Sequence, residues 1–144
     1  MGNPQSPDPV PAMNPSPSLL ALSLLLVIGT SQAQTQSDLN QSACAELEAA
    51  DAELHSVYRE IRERYRDEAL FLDTLKTAQR AWIAFRDAEL AALYPAQDKQ
   101  IEYGSMYPMC ECTTLAGLTR ERTAQLRGWL DVEEGDGCGG SRRL

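Results

Sequence analysis

Apolar residues recur along this chain at helical spacing, and no segment shows the two-residue alternation of a half-buried strand. From about Gln41 to Arg66, Leu47, Leu54, Tyr58, Ile61 and Tyr65 fall at intervals of seven, four, three and four, a stripe along one helical face. Ser42 suits the N-cap, and the interior holds neither glycine nor proline. A second stripe, Leu75, Ala78, Trp82, Phe85 and Ala88 or Glu89, predicts a helix from Asp67 or Asp73 to Tyr94, where Pro95 stops it. The RYRDEALFLD stretch between the two contains no strong breaker, so one continuous helix is the alternative. A turn near Asp67–Asp73 is preferred because a bent pair buries both stripes against each other. Between Pro95 and Pro108 the aromatic residues lose helical spacing and Gly104 and Ser105 appear, the signature of a loop. Leu115, Leu118, Leu126 and Trp129 then predict a third helix, from Cys110–Thr114 to about Leu130. No internal repeat is visible. The expectation is an all-α fold, a short antiparallel three-helix bundle with a Gly/Pro-bounded loop between helices two and three. Its core residues are Leu54, Tyr58, Trp82, Phe85, Leu118 and Trp129.

Ahead of the helices stands the longest apolar run, LLALSLLLVI, from Leu19 to Ile28. About ten apolar residues fit the h-region of a signal peptide, whereas a spanning helix needs roughly twenty. Ser31 and Ala33 occupy the −3 and −1 positions of a cleavage site. No Lys or Arg precedes Arg59, so the basic n-region is missing. A start at Met13 would supply a charged α-amino group and leave MGNPQSPDPVPA untranslated. The competing reading is an uncleaved membrane anchor. No lipobox stands before Cys44, which argues against a lipoprotein. The domains expected are therefore a signal peptide at 1–33, a helical domain at 34–132, and a flexible Gly-rich tail, EEGDGCGGSRRL, at 133–144. After cleavage no stable membrane insertion is expected, and the location would be periplasmic or secreted.

Cysteine usage agrees with export. Cys44, Cys110, Cys112 and Cys138 all fall in the mature region, as an oxidising compartment would favour. In an up-down-up bundle the first and third helices start at the same end. That geometry favours Cys44 pairing with Cys112 or Cys110, a staple closing a loop of over sixty residues. Cys138 returns to the leftover cysteine, stays free, or pairs between chains. Zinc is the competing use, but C-x-C with two distant cysteines and one histidine is poor ligand spacing. No metal or cofactor is expected. The formal charge of −8 argues against nucleic acid and weakly favours a cationic partner.

Polar residues interrupt the apolar stripes. Gln79, Arg86 and Glu89 lie on or beside the face carrying Trp82 and Phe85, and Arg122 stands between Leu118 and Leu126. A partly buried arginine requires carboxylates or carbonyls to offset its desolvation, and Asp51, Asp87 and Glu89 are the candidate partners. The arrangement reads as a structural network setting helix register, with a polar recognition site as the alternative. Catalysis finds little support. His55 sits in a helix among Glu and Ser without a nucleophile and base at usable spacing, and reads as a surface residue. Glu53, Arg59, Glu60, Arg62, Glu63 and Arg64 form a solvated charged face. The sequence shows no glycine-rich phosphate loop and no nucleophile elbow, and no enzymatic activity is expected.

These residues also carry a resemblance. The block LKTAQRAWIAFRDAE (Leu75–Glu89), with Asp51-x-x-Leu54-x-x-x-Tyr58 before it, resembles the LprI-like lysozyme-inhibitor family. So do GSMYPMCEC (Gly104–Cys112) and LTRERTAQL (Leu118–Leu126), the latter with Thr119 and Arg122 in a T-x-x-R pattern. The likeness runs from about Cys44 to Leu130. One position departs: relatives often carry a cysteine directly after RDAE, where this chain has Leu90. The resemblance implies a small exported helical domain of the bacterial envelope that binds a protein, with cationic lysozyme the named candidate. Inhibition would require a segment that enters the enzyme's cleft. Tyr103-Gly104-Ser105-Met106-Tyr107 is the candidate, its two aromatic rings serving as anchors. The bland reading is that these residues cover the open end of the bundle. The alternative function is a structural or assembly component of a periplasmic envelope complex.

Overall fold

The computed structural model describes residues 35–135 and 137–143; the expected signal peptide at 1–33 lies outside them. Helix α1 spans Gln36–Arg64, α2 Ala69–Leu93, α3 Lys99–Tyr103 and α4 Tyr107–Arg127, with a single 3₁₀ turn at Gly104–Met106. The described residues contain no strand, and the fold is all-α. None of their helices is long and apolar enough to cross a membrane.

Helix α1 starts earlier than the apolar stripe suggests, so the N-cap is Thr35 and Ser42 lies inside the helix. The Thr35 hydroxyl accepts from the Asp38 N–H at 3.2 Å, and the Asp38 carboxylate accepts from the Thr35 N–H at 3.0 Å. This reciprocal box satisfies two otherwise orphaned donors. Hydrogen bonding from Thr35, its backbone N–H first and its side chain second, holds the Asp38 carboxyl below its ordinary pKa. The first stripe ends at Tyr65. There the Glu68 N–H donates to the Tyr65 carbonyl at 2.9 Å, closing a turn that rules out one continuous helix.

Helices α1 and α4 run parallel along most of their lengths. Cys44 and Cys112 join them by a disulfide with Cα atoms 4.9 Å apart. Small and hydroxyl-bearing side chains allow this close approach: Ala50 on α1, and Ala116, Thr119 and Thr123 on α4, are all buried. The Thr123 hydroxyl is satisfied by the Thr119 carbonyl at 2.9 Å. Above this seam lies the main core, in which Leu54, Val57, Ile61 and Tyr65 meet Phe71, Leu75 and Leu126. Each fully buried aliphatic of this kind contributes roughly 1.5–3 kcal/mol relative to exposure. Aromatic contacts close the end, with the Phe71 ring 4.5 Å from Tyr65 and 4.6 Å from Trp129.

Helix α2 leans on this pair through its first half. Its buried residues are Phe71 and Leu75, and Trp82 is half-buried. Beyond Trp82 the helix has no buried residue. Phe85, predicted as a core residue, is instead 54 % exposed: past Trp82 the half-buried positions are Arg86, Leu90 and Tyr94, four residues apart, and Phe85 lies off that face. Leu54 is buried, while Tyr58, Leu118 and Trp129 are half-buried.

The segment read as a loop is largely helical. Asp98 caps α3 by accepting from the Ile101 N–H at 2.9 Å. Gly104 follows with φ +67°, a conformation that costs glycine little and other residues more. Helix α4 begins at Tyr107 rather than at Cys110–Thr114, with Pro108 in its first turn, where a missing N–H goes unused. A five-residue helix is too short to write a periodic stripe, which is why spacing gave no sign of it.

The C-terminal segment returns to the aromatic end of the bundle. The Tyr65 hydroxyl donates to the Trp129 carbonyl at 3.0 Å and accepts from the Arg143 N–H at 2.8 Å. The Arg143 guanidinium pairs with Glu68.

Candidate functional site

The segment Tyr103–Tyr107 forms a cap over one end of the bundle. Its two tyrosine rings do not project freely. Tyr94, at the end of α2, packs edge-on against Tyr103 at 5.2 Å and against Tyr107 at 5.3 Å, while Tyr103 and Tyr107 stack at 5.9 Å. The Ala96 N–H donates to the Tyr103 hydroxyl at 3.2 Å, and the Lys99 ammonium donates to the Tyr94 carbonyl. On the other side Asn40 of α1 donates to the Ser105 carbonyl at 3.0 Å. Burial pushes the Tyr107 hydroxyl above its ordinary pKa, with Glu111 adding to the effect. The tyrosines thus act as internal pins, and Gly104 provides the turn between them. What the cap shows to solvent is Ile101, 83 % exposed, Met106, 50 % exposed, and the polar side chains of Glu102 and Ser105. Sequence alone does not mark Ile101, because an isolated apolar residue without helical spacing carries no signal.

Of the six polar residues expected to form one network, five separate into three arrangements and Glu89 joins none of them. Arg122 on α4 donates through Nε to the Gln79 side-chain carbonyl on α2 at 3.0 Å, and through Nη1 to Gln125 at 3.0 Å. Its guanidinium is partly buried, and desolvation lowers its pKa. Asp51 on α1 instead accepts from the buried Thr119 hydroxyl of α4 at 3.3 Å. Arg86 turns to its neighbour Asp87, with Nε and Nη2 at 3.0 and 2.8 Å from one carboxylate oxygen, and lies 5.4 Å over the Trp82 ring. Glu89 is exposed. The candidate carboxylates Asp51, Asp87 and Glu89 are therefore not the partners of Arg122; the amides of Gln79 and Gln125 are.

Between α1 and α2 these residues border a cavity of about 240 Å³, lined by Asp51, Tyr58, Lys76, Gln79, Trp82 and Arg86 among others. His55 is exposed at its edge.

Among the cysteines, the disulfide selects Cys112 over Cys110 because Cys112 is on the face of α4 buried against α1. Cys110 is a half-buried free thiol, and Cys138 is exposed. Among the described residues no group of three or more His, Cys, Asp or Glu side chains could hold a metal ion. Two ion pairs lace the outer edge of the α1–α4 seam, Glu46 with Arg120 at 2.9 Å and Glu53 with Arg127.

The described residues thus form a small, disulfide-stapled helical domain with a pinned, partly apolar cap. Comparison gives the family: the model described as "Lysozyme inhibitor LprI" matches residues 29–126, and the chain belongs to this family. The chain is also similar to a Rhizobium meliloti (strain 1021) protein, itself described only as uncharacterized. The two are 39 % identical over 116 residues, covering 72 % of this chain and 79 % of that one. No solved structure matches the chain.

Proposed function

We propose that this protein is exported to the bacterial envelope, where it binds and inhibits a c-type lysozyme without catalysing a reaction itself. In this reading residues 1–33 are a signal peptide, cleaved after Ala33, and the mature domain opens on the capped helix at Thr35. The observation that carries the inhibitor reading is the cap. A wedge that enters an enzyme cleft must be rigid beforehand, because ordering a loose loop on binding consumes part of the interaction energy. Here three tyrosines and the Asn40–Ser105 hydrogen bond fix the segment, and the Cys44–Cys112 disulfide anchors the end of the bundle behind it. Ile101 and Met106 would supply the apolar contact, with Tyr103, Gly104, Ser105 and Tyr107 setting its shape. The net charge of −8 supports the same reading, since it would speed encounter with a cationic enzyme.

The test is a cell-wall lysis assay with c-type lysozyme at low and physiological salt. Near-stoichiometric, saturable inhibition that weakens with salt is expected, with Ile101→Ser/Met106→Ser reducing it at least tenfold while the protein melts as wild type. Full lysis at a large molar excess of folded protein would sink the reading. A second reading, an assembly component of an envelope complex, is favoured by one observation: α2 leaves Leu70, Ile83, Phe85 and Leu93 exposed. Salt-insensitive association of the protein with an envelope complex would support it.

A further inference from the structure

We propose that the cavity between α1 and α2 binds a small organic oxyanion, a carboxylate or phosphate group carried on a sugar-ring or similarly compact body. This stands apart from the lysozyme reading and shares no residue with the cap. The first observation is charge. In a chain of net charge −8, this cavity gathers Lys76, Arg80 and Arg86 along one side of α2. Lys76 and Arg80 have no ion-pair or hydrogen-bond partner among the described residues. They stand four residues apart on the helix, a like-charge spacing that destabilises rather than supports it. The carboxylate within the cavity, Asp51, is engaged by the Thr119 hydroxyl. Asp87 pairs with Arg86 from outside the lining, and Asp51 offsets one of the two remaining charges, so the cavity keeps a net positive charge.

The second observation is the wall. The Trp82 and Tyr58 rings and Ile83 supply apolar wall beside these cations, with Arg86 lying 5.4 Å over the Trp82 ring, and Gln79 is held in place by Arg122. Cations converging on a cleft with apolar walls concentrate positive potential there, and an oxyanion forms charge-assisted hydrogen bonds with them. The volume of about 240 Å³ falls below that of a drug-sized site, about 300 Å³ or more, and suits a body the size of one sugar ring.

Three probes sharing one ring separate the possibilities: glucuronate, glucose 6-phosphate and uncharged glucose. Each is titrated at low salt into the ¹⁵N-labelled, disulfide-intact protein, following the Trp82 indole N–H, which Trp82→Phe distinguishes from that of Trp129. The expected result is a saturable shift of the Trp82 signal with at least one oxyanion and none with glucose. The variant Lys76→Gln/Arg80→Gln, melting as wild type, should bind that oxyanion at least tenfold more weakly. Whichever head binds more tightly names the source, and equal binding supports the shared chemistry. A shift by glucose equal to that of the charged sugars, no saturable shift with either oxyanion, or unchanged affinity in the double variant would each overturn the proposal.

Discussion

Arg122 Nε donates to the Gln79 side-chain carbonyl at 3.0 Å, tying the C-terminal third of α4 to the middle of α2. The bond matters because α2 has few other anchors: its buried side chains are Phe71 and Leu75, both in its first two turns. Gln79 thus extends the attachment of α2 by a further turn. Removing it leaves a partly desolvated guanidinium without that acceptor. The variant Gln79→Ala should lose about 1–2 kcal/mol in chemical denaturation. The loss should appear as a lower midpoint with helical content retained at low denaturant.

The disulfide supplies a second, larger effect. It closes a separation of 68 residues, for which the chain-entropy model gives about 4 kcal/mol. Cys44→Ser/Cys112→Ser should therefore melt far below wild type, and wild type in reductant should follow it. Cys110→Ala should stay within about 1 kcal/mol of wild type, since its thiol is unpaired and half-buried. Equal losses in the two variants would show that the cysteines exchange partners.

Two phenylalanines of α2 should behave oppositely. Phe71 sits between the rings of Tyr65 and Trp129, and Phe71→Ala should cost about 3–5 kcal/mol. Phe85 is 54 % exposed, and Phe85→Ala should change stability by less than about 1 kcal/mol. Urea titrations of both variants decide this, and a large loss at Phe85 would mean that the second half of α2 is covered in solution.

The Tyr107 hydroxyl has a folded pKa raised above the ordinary 10.0, chiefly by burial and then by Glu111. The folded state holds this proton more tightly than the unfolded chain does. Its contribution is therefore complete below pH 10.0 and is lost as pH rises through the folded pKa. Stability measured from pH 8 upward should fall less steeply above about pH 10 in Tyr107→Phe than in wild type. Parallel curves would remove Tyr107 from the alkaline transition.

How much of this was legible in the chain depends on the range of the signal. Periodicity wrote α1, α2 and α4, because each is long enough to repeat an apolar face several times. The up-down-up order placed Cys44 near Cys110 and Cys112, and both pairings stayed open because the two cysteines lie two residues apart. The face of α4 that turns to α1 decided for Cys112. Arg122 stood out in sequence as a polar break in a stripe, but a break does not name its partner. Asp51 went to Thr119 and the amide of Gln79 to the arginine, since those contacts join residues 68 and 43 positions apart.

By itself, then, the sequence determined an all-helical, disulfide-bearing domain and the family to which it belongs, through local periodicity and short blocks of side chains. Tertiary structure alone decided three further things. It placed Phe85 outside the core, because burial needs a facing surface that no local pattern can report. It turned the Tyr103–Tyr107 segment from a loop into a pinned cap, through ring contacts with Tyr94. It also brought Lys76 and Arg80 of α2 to the same cavity as Tyr58 of α1, and charge becomes a site only where distant elements enclose it.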